Sequence, residues 1–372
     1  MNRKYLAESA LHFYSSDPML LSLQDIYMSQ DSEFSKELIR NNNIYIICKR
    51  RKITLDPYKI KYSYGQITGD LFIHGDIYHE WDRESFTLKS IHFDERIRLF
   101  NNNGFTNFRP KLDIVHLSIN SLGNYLEFID REMGRFMLST NQLVSLIRPD
   151  WQGRENLEVL YIGQSIGAKK SRTAIDRLKH HSTLQRILCD TMMDFPTDDI
   201  ILLLYKFEST KSIMSTASNN MMSDVSASSD EELNHFMSMG TRNVPRKTKI
   251  NLVEAALINY FKPKYNFMHK DSFNPNNMKK LKTLKELFKL DLSGLIVEIN
   301  TNSLGAKLFS EQTNNISKKN EINMSFFEDN KNHEDKEIRE MCGNMLNAHI
   351  AKFPLYNIDE RESFIHALPW HS

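Results

Sequence analysis

The sequence predicts an α+β fold: a small antiparallel sheet flanked by helices at 138–290, preceded by a β-rich accessory module at 1–137 and followed by a mixed α/β extension at 291–372. Three observations carry that division. Short β-branched and aromatic runs crowd the first third, helix-spaced apolar stripes alternate with strand-like runs in the centre, and a polar stretch rich in Ser, Asn and Met at 209–248 interrupts the central pattern. A chain of 372 residues has room for two or three domains.

Taken in order, 18–40 carries helical signals. The segments 44–48, 58–64, 70–82 and 86–93 then alternate or carry β-branched and aromatic residues bounded by Gly, Asp and Asn, which reads as an antiparallel module. Within it Lys49-Arg50-Arg51-Lys52 fits either a phosphate contact or a charged strand end. His74, Asp76, Tyr78 and Glu80 share one strand face, which suits a metal or simply a polar face turned to water. Leu122, Leu126, Ile129, Met133 and Phe136 form a stripe that predicts a linking helix over 121–137, and 143–147 reads as the next strand.

In the centre, the β-rich run 157–162 ends in Tyr161-Ile162-Gly163, where glycine permits a turn or a close approach. The span 173–188 predicts an amphipathic helix whose stripe is Ala174, Arg177, His181, Leu184 and Leu188. A guanidinium and an imidazole on an apolar face border a polar cleft, or else they are a snorkelling arginine and a core histidine. A strand follows at 200–207. A helix over 252–261 places Glu254 against apolar neighbours, where its ionised form needs a partner such as a metal ion. Asn251 followed by Glu254 equally fits a capping box at the helix start.

The 209–248 insertion lacks sustained periodicity and predicts a loop, with a basic exit through Arg242, Arg246, Lys247 and Lys249. Farther on, 278–289 predicts a helix with a lysine face, 294–300 a strand and 335–351 a helix.

Forty-eight Lys and Arg against 47 Asp and Glu give a formal charge of +1, so any nucleic-acid surface must be local. One such patch is Lys169, Lys170, Arg172, Lys179 and Arg186 around Arg177, in which Asp176 is the sole acid. Three dispersed cysteines argue against a disulfide framework or a zinc cluster. With no signal peptide or long apolar span in view, a soluble cytoplasmic protein that engages no membrane is expected.

Strand, Tyr161-Ile162-Gly163, a helix with Arg177 and His181, a further strand, a helix with Glu254, then Pro263-Lys264-Tyr265-Asn266: this order resembles the GIY-YIG nuclease family over about Asn141 to Phe267. The resemblance implies a divalent-metal-dependent endonuclease that hydrolyses DNA phosphodiester bonds, branched or site-specific, with Mg²⁺ or Mn²⁺ as cofactor. It implies that Tyr161 lies at the scissile phosphate, Arg177 contacts that phosphate beside His181, Glu254 is the single protein ligand of the metal, and Asn266 supports the site. The family's first element, GIY, is expected on the preceding strand, and 143–147 contains no tyrosine. Without that tyrosine the alternatives are a nucleic-acid-binding protein with impaired catalysis and an interaction scaffold that retains the fold.

Overall fold

The computed structural model describes residues 5–23, 26, 42–75, 81–93, 111–147, 156–165, 178, 181–207, 210–216, 226–240, 244–273, 282–304, 306–313, 329–330 and 333–355. The chain opens with β1 (Ala7–Tyr14), β2 (Met19–Ser22) and β3 (Ile44–Arg51). Next come β4 (Ile53–Leu55), β5 (Lys61–Ser63), β6 (Gln66–Ile73), β7 (Asp82–Leu88), β8 (Ile114–Ile119), β9 (Tyr125–Asp130), β10 (Gly134–Ser139) and α1 (Thr140–Ile147). The centre holds β11 (Leu157–Gln164), α2 (Ser182–Asp194), β12 (Asp198–Tyr205), β13 (Thr210–Thr216), α3 (Ser229–Met239) and α4 (Arg246–Phe261). Then follow α5 (Lys282–Lys289), β14 (Gly294–Asn300), β15 (Leu308–Phe309), α6 (Lys336–Leu346) and β16 (Ala348–Pro354). The architecture is mixed α+β, with several sheets.

The sheet that organises the centre has the order β15-β11-β3-β12-β2, with β3 antiparallel to both β11 and β12. Its strands are buried on both faces, so their residues sort by alternation between two cores. Ile44, Ile46 and Cys48 pack with α4, whereas Tyr45 and Ile47 pack with Leu184 and Ile187 of α2. A register shift between Val159 and Tyr161 breaks the alternation on β11. The extra residue of such a bulge puts Leu160 and Tyr161 on the α2 side together, while Val159 and Ile162 face α4.

A second sheet, β13-β1-β14-β16, pairs the start of the chain with its end, β1 running parallel to β14. Helix α4 lies between the two sheets. Leu252, Val253, Leu257 and Phe261 share a core with Leu11 and Phe13 of β1 and with Leu295, Val297 and Ile299 of β14. A helix buried around its circumference carries apolar residues on every side, which is the pattern of Ile250, Leu252, Val253, Ala255, Ala256, Leu257 and Ile258.

The β-rich module has its own core, built from β4, β6, β7, the β8–β9–β10 sheet and α1, with Ile53, Leu71, Phe128 and Leu143 fully buried. It is inserted between β3 and β11 rather than placed ahead of the central sheet. The expected division at residue 137 therefore crosses sheets: β1, β2 and β3 pair with strands from the middle and the end of the chain.

Several local expectations are corrected. Residues 121–137 form the end of the β8–β9 turn and most of the β9–β10 hairpin instead of a helix, because Gly123 and Gly134 take positive φ of 66° and 89° at these two turns and Leu126, Phe128 and Asp130 alternate inward. Residues 143–147 are helical, within α1. The 209–248 stretch contains β13, paired to β1, and α3, whose start is closed by a capping box between Ser228 and Glu231. The segment 18–40 contains β2, with residues 24–25 and 27–40 outside the described set. The helix expected at 335–351 stops at Leu346, and β16 begins two residues later. Among the described residues no helix is long and apolar enough to cross a membrane.

On β16, His349 is buried between α4 and its own sheet, 3.2 Å from the Tyr260 hydroxyl through Nδ1 and edge-on to Phe261. Burial pushes its imidazole from 6.5 down to about 3. Between those values the unfolded chain binds a proton that the folded chain refuses, so stability is whole above pH ~6.5 and falls as pH drops, by at most about 1.4 kcal/mol per pH unit for one group. Urea midpoints measured from pH 7.5 down to 5 should fall, and His349→Gln should flatten that slope; an identical slope in the variant contradicts the assignment.

Candidate functional site

Antiparallel pairing sets Tyr45 of β3 opposite Gly163 of β11. The aromatic ring lies across the glycine. A Cβ at residue 163 would overlap the Tyr45 ring and hydroxyl and stand 2.9 Å from Tyr161 Cε1. The space itself demands glycine here, since Gly163 has no positive φ. The bulge described above turns Tyr161 to the same side, and the two tyrosine rings stack with centroids 6.1 Å apart and planes 30° apart.

His181 completes the cluster. It is the N-cap of α2, with φ −89° and ψ 106°, and so does not sit on the face of a continuous 173–188 helix as the stripe implied. Its Nδ1 accepts the Leu184 N–H at 3.3 Å, and its Nε2 lies 3.3 Å from the Tyr45 hydroxyl. An imidazole that accepts at Nδ1 carries its proton at Nε2 when neutral, so the cap fixes the tautomer that donates to the Tyr45 oxygen. The ring of His181 also meets Tyr161 edge-on at 5.1 Å.

Glu254 arrives from the opposite face of the sheet. Helix α4 starts at Arg246 after Pro245, so Asn251 is an interior helical residue and the capping-box alternative does not hold. A carboxylate on a core helix costs several kcal/mol unless its oxygens are bound. Gln164, the last residue of β11, meets that demand by donating from Nε2 to Glu254 Oε2 at 2.6 Å. The half-buried acid is thereby held at the strand end, one residue past the glycine under Tyr45.

Asn266 is buried beside the same strand. Its Oδ1 accepts the Ile162 N–H at 2.9 Å and its Nδ2 donates to the Ile162 carbonyl at 2.8 Å, so one amide side chain substitutes for a neighbouring strand. Tyr265 adds a backbone bond to Leu160 O at 3.1 Å and donates its hydroxyl to Asp190 of α2 at 2.7 Å. Burial and that acceptor push the Tyr265 phenol up to about 12.

Among the predicted nucleic-acid contacts, Arg186 stands on the exposed side of α2, 3.8 Å from Asp190 and over the Tyr265 ring. Arg177, Lys169, Lys170, Arg172 and Lys179 lie outside the described residues. So do Asp76, Tyr78 and Glu80, while His74 stacks on Trp81 at 3.9 Å and meets the Thr54 hydroxyl at 2.9 Å in a packing role. The structure thus brings Tyr161 and His181 together on the α2 face of β11, Glu254 to the same strand at Gln164 from the α4 face, and Asn266 to the backbone of Ile162 between them. It adds two residues that sequence reasoning passed over, Tyr45 and Gln164. Tyr45 had a signal: Asn43-Ile44-Tyr45 differs from Gly-Ile-Tyr at its first position alone and lies on a strand already expected at 44–48.

Among the described residues no three His, Cys, Asp or Glu side chains gather as a metal cluster. A hard divalent ion such as Mg²⁺ keeps several waters and is held by one or two carboxylates plus substrate phosphate. The half-buried Glu254, oriented by Gln164, fits that demand by itself. No protein-family model, curated protein or solved structure matches the chain.

Gly163→Ala should cost about 1–3 kcal/mol of stability through overpacking. In a Tyr45→Ala background the same change should cost well under half as much in urea unfolding, since the overlapping ring is gone. Equal costs in both backgrounds would show that the ring does not press on residue 163.

Proposed function

We propose that this chain is a divalent-metal-dependent endonuclease that hydrolyses DNA phosphodiester bonds at a site resembling that of the GIY-YIG nucleases. The observation that supports this most is the convergence of two tyrosines from adjacent antiparallel strands across one glycine, with His181 at 3.3 Å from the Tyr45 hydroxyl. Asn43-Ile44-Tyr45 is the counterpart of the family's first element and Tyr161-Ile162-Gly163 of its second. The antiparallel β11, β3 and β12, with α2 on one face and α4 on the other, suit the small flanked sheet of that family.

In-line attack on a phosphodiester builds negative charge on the non-bridging oxygens and requires a proton to leave the attacking water. Tyr45 is the group we assign to that proton. As a phenolate, held by the Nε2 proton of His181, it takes the proton from the attacking water and becomes the neutral phenol. Tyr161, stacked alongside, lines the scissile phosphate. Arg177 is assigned to the non-bridging oxygens. Glu254 would hold Mg²⁺ or Mn²⁺, which supplies charge neutralisation and a bound water of lowered pKa. Asn266 keeps Ile162, and with it Tyr161 and Gly163, in register. Lys169, Lys170, Arg172, Lys179 and Arg186 remain the proposed contacts to flanking phosphates, and a cytoplasmic setting belongs to the same proposal. The rival reading, a binding protein with impaired catalysis, starts from the absence of a first tyrosine, and the position of Tyr45 favours the nuclease over it.

Supercoiled plasmid and branched duplex DNA incubated with Mg²⁺ or Mn²⁺ should be cut, and chelator should stop the reaction. Glu254→Gln and Arg177→Ala should each slow cutting by about a hundredfold or more, with duplex binding retained. Cutting at the wild-type rate by either variant refutes the assignment.

A further inference from the structure

The loop after α4 holds two large apolar side chains in water beside the candidate site. Phe267 is 81% exposed and Met268 73% exposed. Single exposed apolar residues are ordinary on protein surfaces; these two are consecutive and sit on a braced tip. On one side Asn266 is bonded twice to Ile162 and Tyr265 once to Leu160. On the other, Asn259 donates to the Lys270 carbonyl at 2.8 Å and His269 meets the Ser272 hydroxyl at 3.0 Å, with His269 in a left-handed conformation at φ 70°. A non-glycine residue is held there only where its surroundings enforce it. Phe267 follows directly on Asn266, which bonds the backbone of Ile162, two residues before the Gln164 that holds Glu254. The flanks are basic: Lys262, Lys264 and Lys270, with Asp271 bonded to Lys262 at 3.2 Å.

We infer that Phe267 and Met268 form a wedge that enters a base step of duplex DNA next to the scissile phosphate, while the flanking lysines meet the backbone. The inference rests on the nuclease reading for the identity of its ligand. Apolar side chains inserted at a base step partly unstack it and bend the duplex, and the required opening is easiest where pairing is already imperfect. The wedge would therefore select deformable or mispaired steps and bring the adjacent phosphate down to Tyr161 and Glu254.

The full chain carrying Glu254→Gln, expected to retain duplex binding while cutting about a hundredfold more slowly, is titrated without added metal against fluorescein-labelled duplexes that differ by one mismatch. The mismatched duplex should bind on the order of tenfold tighter. Adding Phe267→Ser and Met268→Ser should erase that preference without lowering the urea midpoint, because the two side chains bury little surface. An unchanged preference overturns the wedge, as does failure of the parent protein to bind either duplex, or binding to phosphatidylserine vesicles in place of DNA. Plasmid cutting by the otherwise unaltered chain separates the two proposals. A preference lost with the wedge in a chain that cuts nothing sinks the nuclease reading and keeps the wedge; cutting with the preference intact after both substitutions sinks the wedge alone.

Discussion

The Tyr45 ring occupies the volume that any side chain at residue 163 would need. That single exclusion ties strand register to side-chain chemistry. If β11 slipped by one residue against β3, Tyr45 would face Ile162 or Gln164, and the alternation would send those side chains into the ring. Only with Gly163 opposite can Tyr45 lie flat across the strand, stack on Tyr161 and reach His181. The bulge at Leu160 is the second half of the device, because without its extra residue Tyr161 would point to the α4 face.

Around this contact the fold is assembled from distant pieces. Helix α4 is clamped between two sheets, one drawing β1 and β14 from the two ends of the chain and the other drawing β3 from before the inserted module and β11 from after it. A helix so enclosed has little freedom to shift, and that rigidity gives Glu254 a fixed approach to Gln164. The inserted module has a separate core and meets β3 through Arg50, which is hydrogen-bonded to Asn141 of α1. Insertion of a self-contained module between two paired strands preserves their pairing provided its entry and exit lie close together.

What the sequence disclosed followed the range of the interactions. The β-branched run of β11 and the apolar α4 were legible because each is written in its own residues: Val159 and Ile162 mark a buried strand, and Val253, Leu257 and Ile258 a core helix. The stripe of Leu122, Leu126, Ile129, Met133 and Phe136 misled because it satisfies helical spacing while Gly123 and Gly134 punctuate it as a hairpin. Tyr45 carried a faint motif in Asn43-Ile44-Tyr45, but its place beside Tyr161 was not legible, for a different reason. Its partner is Gly163, across the whole inserted module, and no local pattern reveals a pairing at that separation. The cap at His181 was hidden because a stripe counted by threes and fours runs straight through a helix start.

The proposed chemistry depends on one oxygen atom, the Tyr45 hydroxyl, more than on any other. Tyr45→Phe deletes that atom, leaves the ring over Gly163 and keeps the stack with Tyr161. The decisive measurement is the metal-dependent rate of DNA cutting by this variant, taken beside its urea midpoint. A loss of about a hundredfold or more in rate with stability changed by less than about 1 kcal/mol is what the account requires. A rate equal to the parent's, at equal stability, would mean that the Tyr45 hydroxyl plays no part in the reaction.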